Sequence, residues 1–151
     1  MIKLRRFSLS DLKEVIEIGG VSFLKRPPYP RSYFLTYYQK YPEGFIVAEN
    51  RGEIIGYTIG QLKHPATVER VGEFISLAVK PDFQKKGVGT KLTIFLINHF
   101  KEKGVKEVSL NVRVRNKIAI SFYQNLGFKI LKRVENYYRN GDDAYLMRIK
   151  I

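Results

Sequence analysis

Residues 73–103 read EFISLAVKPDFQKKGVGTKLTIFLINHFKEK and are followed by Gly104. The first part, residues 73–79, is an apolar run typical of a buried strand. From residue 86 to residue 103 the apolar side chains recur at helical spacing, and Gly104 predicts the end of that helix. The stretch therefore predicts a strand, a glycine-containing loop and a helix in direct succession.

The elements downstream of this stretch predict the fold class. A strand at residues 108–112 would complete a strand–helix–strand unit, which favours parallel pairing through a right-handed crossover. Residues 116–126 predict a helix closed by Gly127, and residues 129–135 and 144–149 predict two antiparallel strands joined by a loop with Asn140-Gly141. We therefore expect an α/β (α+β) mixed sheet with helices on both faces.

The upstream residues predict the other elements of one domain spanning residues 1–151. The apolar spacing from Leu12 to Ile18 predicts a first helix, with Ser8 and Ser10 as capping candidates. The expected elements are a strand at 3–7, the first helix ending at Gly19-Gly20, a loop at 27–30, a helix at 32–39, a hairpin of 45–49 with 54–62 around Asn50-Arg51-Gly52, and a connection at 63–72.

The composition excludes several classes of protein. The 151 residues include no cysteine and two histidines, so a disulfide scaffold, a thiolate zinc site and a cysteine nucleophile are excluded, and no metal site is expected. We find neither an apolar run of transmembrane length nor a secretory signal, and a cytoplasmic location is the default expectation. The net charge of +13 favours an anionic partner, which charge alone does not identify.

The loop between the predicted strand and helix indicates a phosphate site. Gly87 and Gly89 would let the backbone approach a ligand closely. The free N–H groups at the helix N-terminus attract anions, and Lys85 and Lys86 add positive charge. The spacing fits neither a Walker A loop nor G-x-G-x-x-G, and taken alone it is equally compatible with a glycine-rich turn carrying surface lysines.

Three ordered motifs resemble the GNAT acetyltransferases over nearly the whole chain. Gln84-x-x-Gly87-x-Gly89 is similar to the Q/R-x-x-G-x-G/A motif of that family. A second cofactor motif is similar to residues 111–128, NVRVRNKIAISFYQNLGF, and residues 136–147, NYYRNGDDAYLM, resemble a narrower branch. That branch contains the catalytic subunit of NatA-type N-terminal acetyltransferases and the ribosomal-protein alanine N-acetyltransferases. The resemblance implies a GNAT fold, with a mostly antiparallel central sheet and one parallel crossover.

The resemblance implies that acetyl-CoA is the acetyl donor. The backbone of Leu77, Ala78 and Val79 would pair with the pantetheine arm, and Asn116 matches a pantetheine-contacting asparagine. Tyr123 matches a tyrosine near the sulfur that is proposed to protonate the leaving thiolate; the alternative is a core aromatic. The pyrophosphate would be held by the N–H groups of Gln84, Lys85, Lys86, Gly87, Val88, Gly89 and Thr90.

The amine must lose a proton before it can attack the thioester. The family often places a base just before the Ser-Leu-Ala-Val segment, and Glu73 occupies that position. A strand-end carboxylate that merely faces water is the alternative interpretation. A second base position of relatives falls at Asn111, which cannot accept a proton at neutral pH, so a two-base scheme is in doubt.

On the acceptor side, the resemblance implies that a peptide lies between residues 23–33 and residues 134–144. Tyr137 and Tyr138 match hairpin tyrosines that would bond the first peptide units, and Tyr29 would shape the pocket for the first residue. Plain packing roles remain open for all three. The expected substrates are protein or peptide N-termini, with a ribosome or an auxiliary subunit as a possible further partner.

Two other classes of function remain alternatives. The same fold could acetylate protein lysines or a small amine, although the Tyr137-Tyr138 hairpin favours N-termini because it blocks sideways entry of a side chain. A basic nucleic-acid-binding module would need exposed aromatics among the lysines or a recognition-helix pattern. Neither pattern is clear, so no specific nucleic acid and no membrane partner are expected.

Overall fold

The computed structural model describes residues 1–22, 29–63 and 70–151, with the side chains of Val21 and Ser22 excepted. Its strands and helices are β1 (Ile2–Arg6), α1 (Leu12–Ser22), α2 (Arg31–Lys40), β2 (Phe45–Asn50), β3 (Glu53–Lys63), β4 (Val71–Val79), α3 (Val88–Glu102), β5 (Glu107–Arg113), α4 (Lys117–Asn125), β6 (Lys129–Val134) and β7 (Ala144–Lys150).

The strands form one seven-stranded sheet in the order β1-β2-β3-β4-β5-β7-β6. Every neighbouring pair is antiparallel except β4 and β5, which are parallel and are connected through α3. Arg51 and Gly52 adopt positive φ angles of 52° and 81° in the hairpin between β2 and β3. The predicted mixed sheet, its single parallel crossover and this hairpin are confirmed.

The two faces of the sheet pack against different helices. Leu12, Val15 and Ile18 of α1 and Phe34 of α2 join one core cluster with β2 and β3. On the opposite face, side chains of α3 and α4 form two clusters with the sheet. Helices therefore cover both faces, as predicted. Among the described residues, no helix combines the length and apolar character that crossing a membrane requires.

The predicted end of α1 at Gly19-Gly20 is wrong, because the helix continues to Ser22. A Cβ at Gly19 would lie 3.0 Å from Tyr57 Oη and 3.4 Å from Phe34 Cζ. Gly19 therefore serves close packing against the sheet and α2. The sequence pattern does not distinguish this role of glycine from a helix stop.

The expected connection at residues 63–72 is also partly wrong. Lys63 belongs to β3, and β4 begins at Val71, so that Gly72 pairs with Leu62 on one side and Val108 on the other. A Cβ at Gly72 would lie 2.8 Å from Phe100, so the glycine leaves room for that ring. Residues 64–69 lie outside the described residues, as do residues 23–28 at the start of the predicted acceptor loop.

Candidate active site

Strands β4 and β5 pair over only four residues and then separate. Their ladder runs from Val71 with Glu107 to Phe74 with Leu110, whereas β4 stays paired with β3 up to Val79. Ile75 is an extra residue at a register shift opposite Ile59 and Gly60. A bulge of this kind bends a strand. The bend accounts for the divergence, which leaves the second half of β4 beside β5 without a ladder.

The backbone of β4 is directed toward this divergence at two predicted cofactor residues. The Lys80 N–H donates to Ile55 O of β3 at 2.8 Å. Backbone groups alternate in direction along a strand, so those of Ala78 also point toward β3. Those of Leu77 and Val79 point toward β5. Of the three residues predicted to pair with the pantetheine arm, Leu77 and Val79 therefore direct their backbone groups toward the gap between β4 and β5. The backbone groups of Ala78 point away from that gap.

The loop after β4 is arranged as an anion site. Lys85 and Gly87 have φ angles of 62° and 84°, and no side chain caps α3 at Gly87. The first α3 backbone bond runs from the Lys91 N–H to Gly87 O, so the amides of Val88 to Thr90 precede the helical ladder. Helix N-terminal amides in this state favour a phosphate. Gln84 ties the loop to the strand, because its Nε2 donates to Val79 O at 2.9 Å.

The first turn of α3 approaches both β4 and α4. A methyl group at Gly89 would lie 3.6 Å from Phe122 Cζ and 3.8 Å from Leu77 Cδ2, which is ordinary contact, whereas one at Gly87 would meet nothing within 4 Å. Gly87 is therefore required by its backbone angle, whereas Gly89 leaves open the space between Phe122 and Leu77 that a methyl group would fill. The sequence predicted one role for both glycines, and the structure distinguishes two.

Tyr123 lies on α4 next to Phe122, the residue that a methyl group at Gly89 would contact. Its ring makes edge-on contacts with Phe122 and Phe128, with ring centres 5.1 and 5.5 Å apart. Burial raises the pKa of Tyr123, so the group is a neutral phenol at physiological pH. Among the described residues, its hydroxyl has no hydrogen-bond partner. The arrangement provides a proton donor, and it also contains the aromatic packing that the core alternative requires.

Asn116 has a structural task that the sequence did not predict. It is the N-cap of α4, and its Oδ1 accepts from the Ala119 N–H at 3.2 Å. Its Nδ2 takes no part in that bond, so a contact from this amide to a cofactor is compatible with capping. Asparagine is a favoured N-cap residue because its side-chain oxygen satisfies an orphan amide.

Glu73 lies on the face of the sheet that α1 and α2 cover. Gln61 Nε2 donates to Glu73 Oε1 at 2.9 Å, and Lys63 Nζ lies 3.8 Å from Glu73 Oε2. The Glu73 side chain is 15% exposed. Two neighbours on β3 therefore hold this carboxylate in place, which differs from the alternative of a strand-end carboxylate that simply faces water.

A group of tyrosines surrounds this part of β4. Tyr29 stacks on Tyr33 with ring centres 4.2 Å apart. Tyr57 Oη lies 3.3 Å from the Ser76 hydroxyl. Burial raises the pKa of Tyr33, and a hydrogen bond with Ser76 partly opposes that shift. Burial raises the pKa of Tyr37 too.

The sequence analysis singled out only Tyr29 from this group. Tyr33 and Tyr37 are four residues apart, a spacing that places both on one face of α2. This four-residue spacing was a feature of the sequence that could have indicated a shared role for Tyr33 and Tyr37. Ser76 and Tyr57 carried no such signal, because the strands that hold them are far apart in the sequence.

Tyr137 and Tyr138 lie in the turn between β6 and β7, with ring centres 5.0 Å apart. Tyr137 is 49% exposed. Burial is the main cause of the raised pKa of Tyr37, and the charges of Glu73 and Tyr137 add to it. These contributions indicate that the β6–β7 turn, the predicted base and α2 lie in the same region of the molecule.

The turn is held by charged groups that the sequence analysis missed. The Arg113 guanidinium lies 3.8 Å from the centre of the Tyr138 ring. Asp142 Oδ2 accepts from Arg113 at 2.7 Å and from Arg115 at 2.6 Å. The backbone O of Asp142 accepts from the Tyr138 N–H at 3.1 Å. A hydrogen bond from Asn140 and the two arginines lower the pKa of Asp142, so it is charged at neutral pH.

Asn111 lies on β5, paired with Leu146 of β7, and its amide provides no base there. Among the described residues, no group of three or more histidine, aspartate or glutamate side chains could hold a metal ion. The residues that converge near the end of the β4–β5 ladder are thus backbone amides, phenols and one carboxylate. They can bind an anionic cofactor and transfer protons.

The family is established by direct comparison. The model of the acetyltransferase (GNAT) family matches residues 12–128. The chain belongs to the GNAT acetyltransferase family, and the sequence resemblance is confirmed. An N-alpha-acetyltransferase of Sulfolobus acidocaldarius is 35% identical over an alignment of 153 positions that covers 96% of this chain and 90% of the relative. The protein is therefore an acetyl-CoA-dependent N-acetyltransferase.

Solved structures agree with this assignment. Ard1 from Thermoplasma volcanium has a TM-score of 0.89 and 29% identity, covering 99% of this chain and 97% of that chain. A chain of the NatC complex bound to Gag peptide and CoA has a TM-score of 0.87 and 20% identity, covering 99% and 98%. At that identity the second likeness shows the fold. Such neighbours hold CoA and peptide, and NatC is a complex.

Proposed function

We propose that this enzyme transfers the acetyl group of acetyl-CoA to the α-amine of a protein or peptide. The observation that carries the proposal is the Glu73 carboxylate, which is 15% exposed and accepts from Gln61 Nε2 at 2.9 Å on the face that α1 and α2 cover. Burial raises the pKa of Tyr37 on α2, and Glu73 and Tyr137 add to that shift, which supports a slot for a chain end in this region. The N-alpha-acetyltransferase of S. acidocaldarius, which is similar over nearly its whole length, supports the same acceptor.

In this proposal acetyl-CoA lies along the divergence of β4 and β5. The loop amides from Gln84 to Thr90 bind the pyrophosphate, with Lys85 and Lys86 adding charge. The backbone groups of Leu77 and Val79 bind the pantetheine arm, because they point toward β5. The Asn116 amide adds a contact from the start of α4. The NatC complex, one chain of which shares this fold, was crystallised with CoA.

The reaction proceeds by direct attack in a ternary complex. The amine nitrogen forms a bond to the thioester carbon, and the carbon–sulfur bond breaks. Glu73 takes the proton that the amine loses, directly or through water, and Tyr123 protonates the leaving thiolate. The Val79 N–H polarises the carbonyl; we prefer it to that of Ala78 because the Ala78 N–H points toward β3.

The chemistry of the acceptor favours an α-amine over lysine. An α-amine has a pKa near 8, whereas the lysine amine has a pKa near 10.4. At pH 7 roughly a tenth of α-amines are neutral, against well under a thousandth of lysine side chains. Asn111 leaves Glu73 as the one base among the predicted residues, and a single base suffices more easily for the less basic amine.

The test is acetyl transfer to a panel of peptides, read out by intact mass. The panel contains free N-termini beginning with Ser, Ala, Met-Leu and Glu, together with N-blocked peptides that carry an internal lysine. We expect transfer to free N-termini only. Transfer to the blocked lysine peptides would contradict the proposal and support the lysine alternative. Binding of acetyl-CoA without transfer to any peptide would favour a small amine.

The remaining parts of the proposal concern organisation and partners. Residues 1–151 act as one catalytic domain, and the substrate is a protein or peptide N-terminus. The excess of basic residues, with a net charge of +13, suits approach to ribosomes, where nascent N-termini emerge. Failure of the protein to co-sediment with ribosomes at low salt would contradict that association. An auxiliary subunit is a further candidate, since NatC is itself a complex.

A further inference from the structure

Among the described residues, no helix makes extensive contact with the half of the acceptor-side surface that β5, β7 and β6 form. Side chains of β5 and β7 alternate between the faces: Leu110 and Met147 belong to the cluster beneath α3 and α4. Their neighbours Asn111 and Leu146 therefore point to the opposite face. On that face α1 and α2 contact β3 and β4, whereas β6 is exposed from Lys129 to Arg133. We call the surface of β5, β7 and β6 on this side the basic face.

The charges on the basic face are strongly one-sided. Arg148 pairs with Glu107 at 3.2 Å. Lys129, Lys132 and Lys150 are exposed and have no ion-pair partner among the described residues. The strand registers place these residues on one surface: Ser109 pairs with Arg148, Arg148 with Lys129, Leu146 with Lys132, and Glu107 with Lys150.

A second observation on the same face is an unsatisfied donor. Arg148 Nε is buried from solvent and has no hydrogen-bond partner within the described part of the chain. Buried polar groups without a partner are uncommon, and each calls for an explanation. A carboxylate bound at the surface beside Arg148 would pair with its guanidinium and would also neutralise the surrounding lysines.

The basic face begins at the proposed acceptor slot. Glu73 pairs with Ser109, Ser109 with Arg148, and Arg148 with Lys129, so the four residues form one row across the sheet. Neighbouring strands lie about 4.8 Å apart, which puts Arg148 roughly 10 Å and Lys129 roughly 14 Å from Glu73. An extended peptide advances about 3.4 Å per residue. The fourth and fifth residues of an acceptor whose first residue is held at Glu73 would therefore reach these cations.

We propose that the basic face binds an acidic segment that follows the first residues of the acceptor chain. The inference rests on the proposed function, because it assumes an acceptor that enters as a chain end. The side chains of β5, β7 and β6 on this face include no aromatic residue on which a base could stack. Since single-stranded nucleic acids are bound largely by such stacking, a peptide is favoured over RNA.

The experiment compares two peptides that share their first three residues and carry either Glu or Gln at positions four to seven. At low salt we expect kcat/KM for the Glu peptide to be about 5- to 10-fold higher, mainly through KM, and the difference to shrink as salt screens the charges. The double variant Lys129→Glu/Lys132→Glu should lose this preference. A control with the same charge change on other surfaces, Lys13→Glu/Lys101→Glu, should keep it.

Equal kcat/KM for the two peptides would overturn the inference, as would a preference that persists in the Lys129→Glu/Lys132→Glu variant. Binding of a labelled single-stranded RNA that this variant loses, with the peptide preference unchanged, would also overturn it and assign the face to RNA. The proposed function is judged separately. Acetylation of the Gln peptide at its α-amine supports that function whatever the charge preference, and acetylation confined to an N-blocked lysine peptide contradicts it.

Discussion

The donor and acceptor sides of the active site are built from different kinds of groups. In the proposed site, the backbone of Leu77, Val79 and the loop amides up to Thr90 would do most of the binding on the donor side, within one contiguous segment. On the acceptor side, Glu73, Tyr37 and Tyr137 come from three separate parts of the chain and would act through their side chains. A contiguous backbone site leaves a readable motif, whereas a dispersed side-chain site leaves isolated residues.

This difference predicts how each side responds to substitution. A site built from backbone groups should still bind the cofactor after most side-chain substitutions. Binding and activity should be sensitive mainly to substitution of the glycines and of the proton donor. A side-chain site can be dismantled one residue at a time, and each loss should appear in acceptor kinetics alone. Variants that change the kinetic constants for acetyl-CoA alone, or for the peptide alone, therefore test whether the two sides differ in this way.

The largest effect is expected for Tyr123→Phe on the donor side. The variant keeps the ring contacts with Phe122 and Phe128 and removes a hydroxyl that would protonate the thiolate. We expect kcat to fall about 100-fold, with KM for acetyl-CoA within about twofold of wild type. Steady-state thiol release measures both constants.

A matched control for that variant is Tyr145→Phe, because Tyr145 packs against the same core cluster. Its kcat should equal that of the wild-type enzyme. An unchanged kcat in Tyr123→Phe itself would assign Tyr123 to core packing alone, which was the alternative that the sequence left open.

The next effect is expected for Glu73→Gln on the acceptor side, and it should depend on pH. Because roughly a tenth of an α-amine with a pKa near 8 is neutral at pH 7, losing the base should lower kcat/KM there by about 10-fold or more. As the pH rises past 8 the amine deprotonates by itself, so the deficit should shrink. The measurement is kcat/KM for a peptide between pH 6 and 9.5.

The variant should fold normally, since Gln61 can donate to the amide oxygen of a glutamine as it does to the carboxylate. Glu17→Gln, an exposed change of equal charge on α1, is the control and should follow the wild-type profile. Wild-type activity of Glu73→Gln at pH 7 would exclude Glu73 as the base.

The two glycines of the loop provide a smaller and sharper test of the donor side. Gly89→Ala adds a methyl in ordinary contact with Phe122 and Leu77, so the fold should persist while KM for acetyl-CoA rises about fivefold. Gly87→Ala forces alanine to a φ of 84°, which costs about 1 kcal/mol and should lower Tm by about 2–4 °C. Thermal melts and cofactor titrations separate the two effects. A lower Tm in Gly89→Ala with unchanged KM would reverse these assignments.

The same difference between contiguous and dispersed residues explains which features could be predicted from the sequence. The strand, loop and helix around Gly87 follow from local patterns, and the fold class follows from their order. Gly19 and Gly72 misled the prediction because close packing against Tyr57 and Phe100 requires them, and those partners are distant in the sequence. The Arg113–Asp142 pair was missed for the same reason, since residues 29 positions apart meet only through the pairing of β5 with β7.

The smallest effect is expected for Asp142→Asn, which probes that pair. The substitution keeps the backbone bond from the Tyr138 N–H and removes the charge that holds Arg113 against the Tyr138 ring. A looser turn should raise KM for the peptide about threefold and leave kcat and KM for acetyl-CoA unchanged. Because the pKa of Asp142 is lowered, the charge persists from pH 6 to 9, and the effect should be constant over that range.

Arg133→Gln is the control for that prediction, because Arg133 pairs with Asp143, not with Asp142, at 2.7 Å in the same hairpin. If both variants changed the peptide KM equally, general loosening of the hairpin would explain the result. If only Asp142→Asn changed it, the Arg113–Asp142 pair would be a specific positioning element of the acceptor side. A change in KM for acetyl-CoA would show instead that the two sides are coupled through the end of β5, where Arg113 lies beside the divergence of β4.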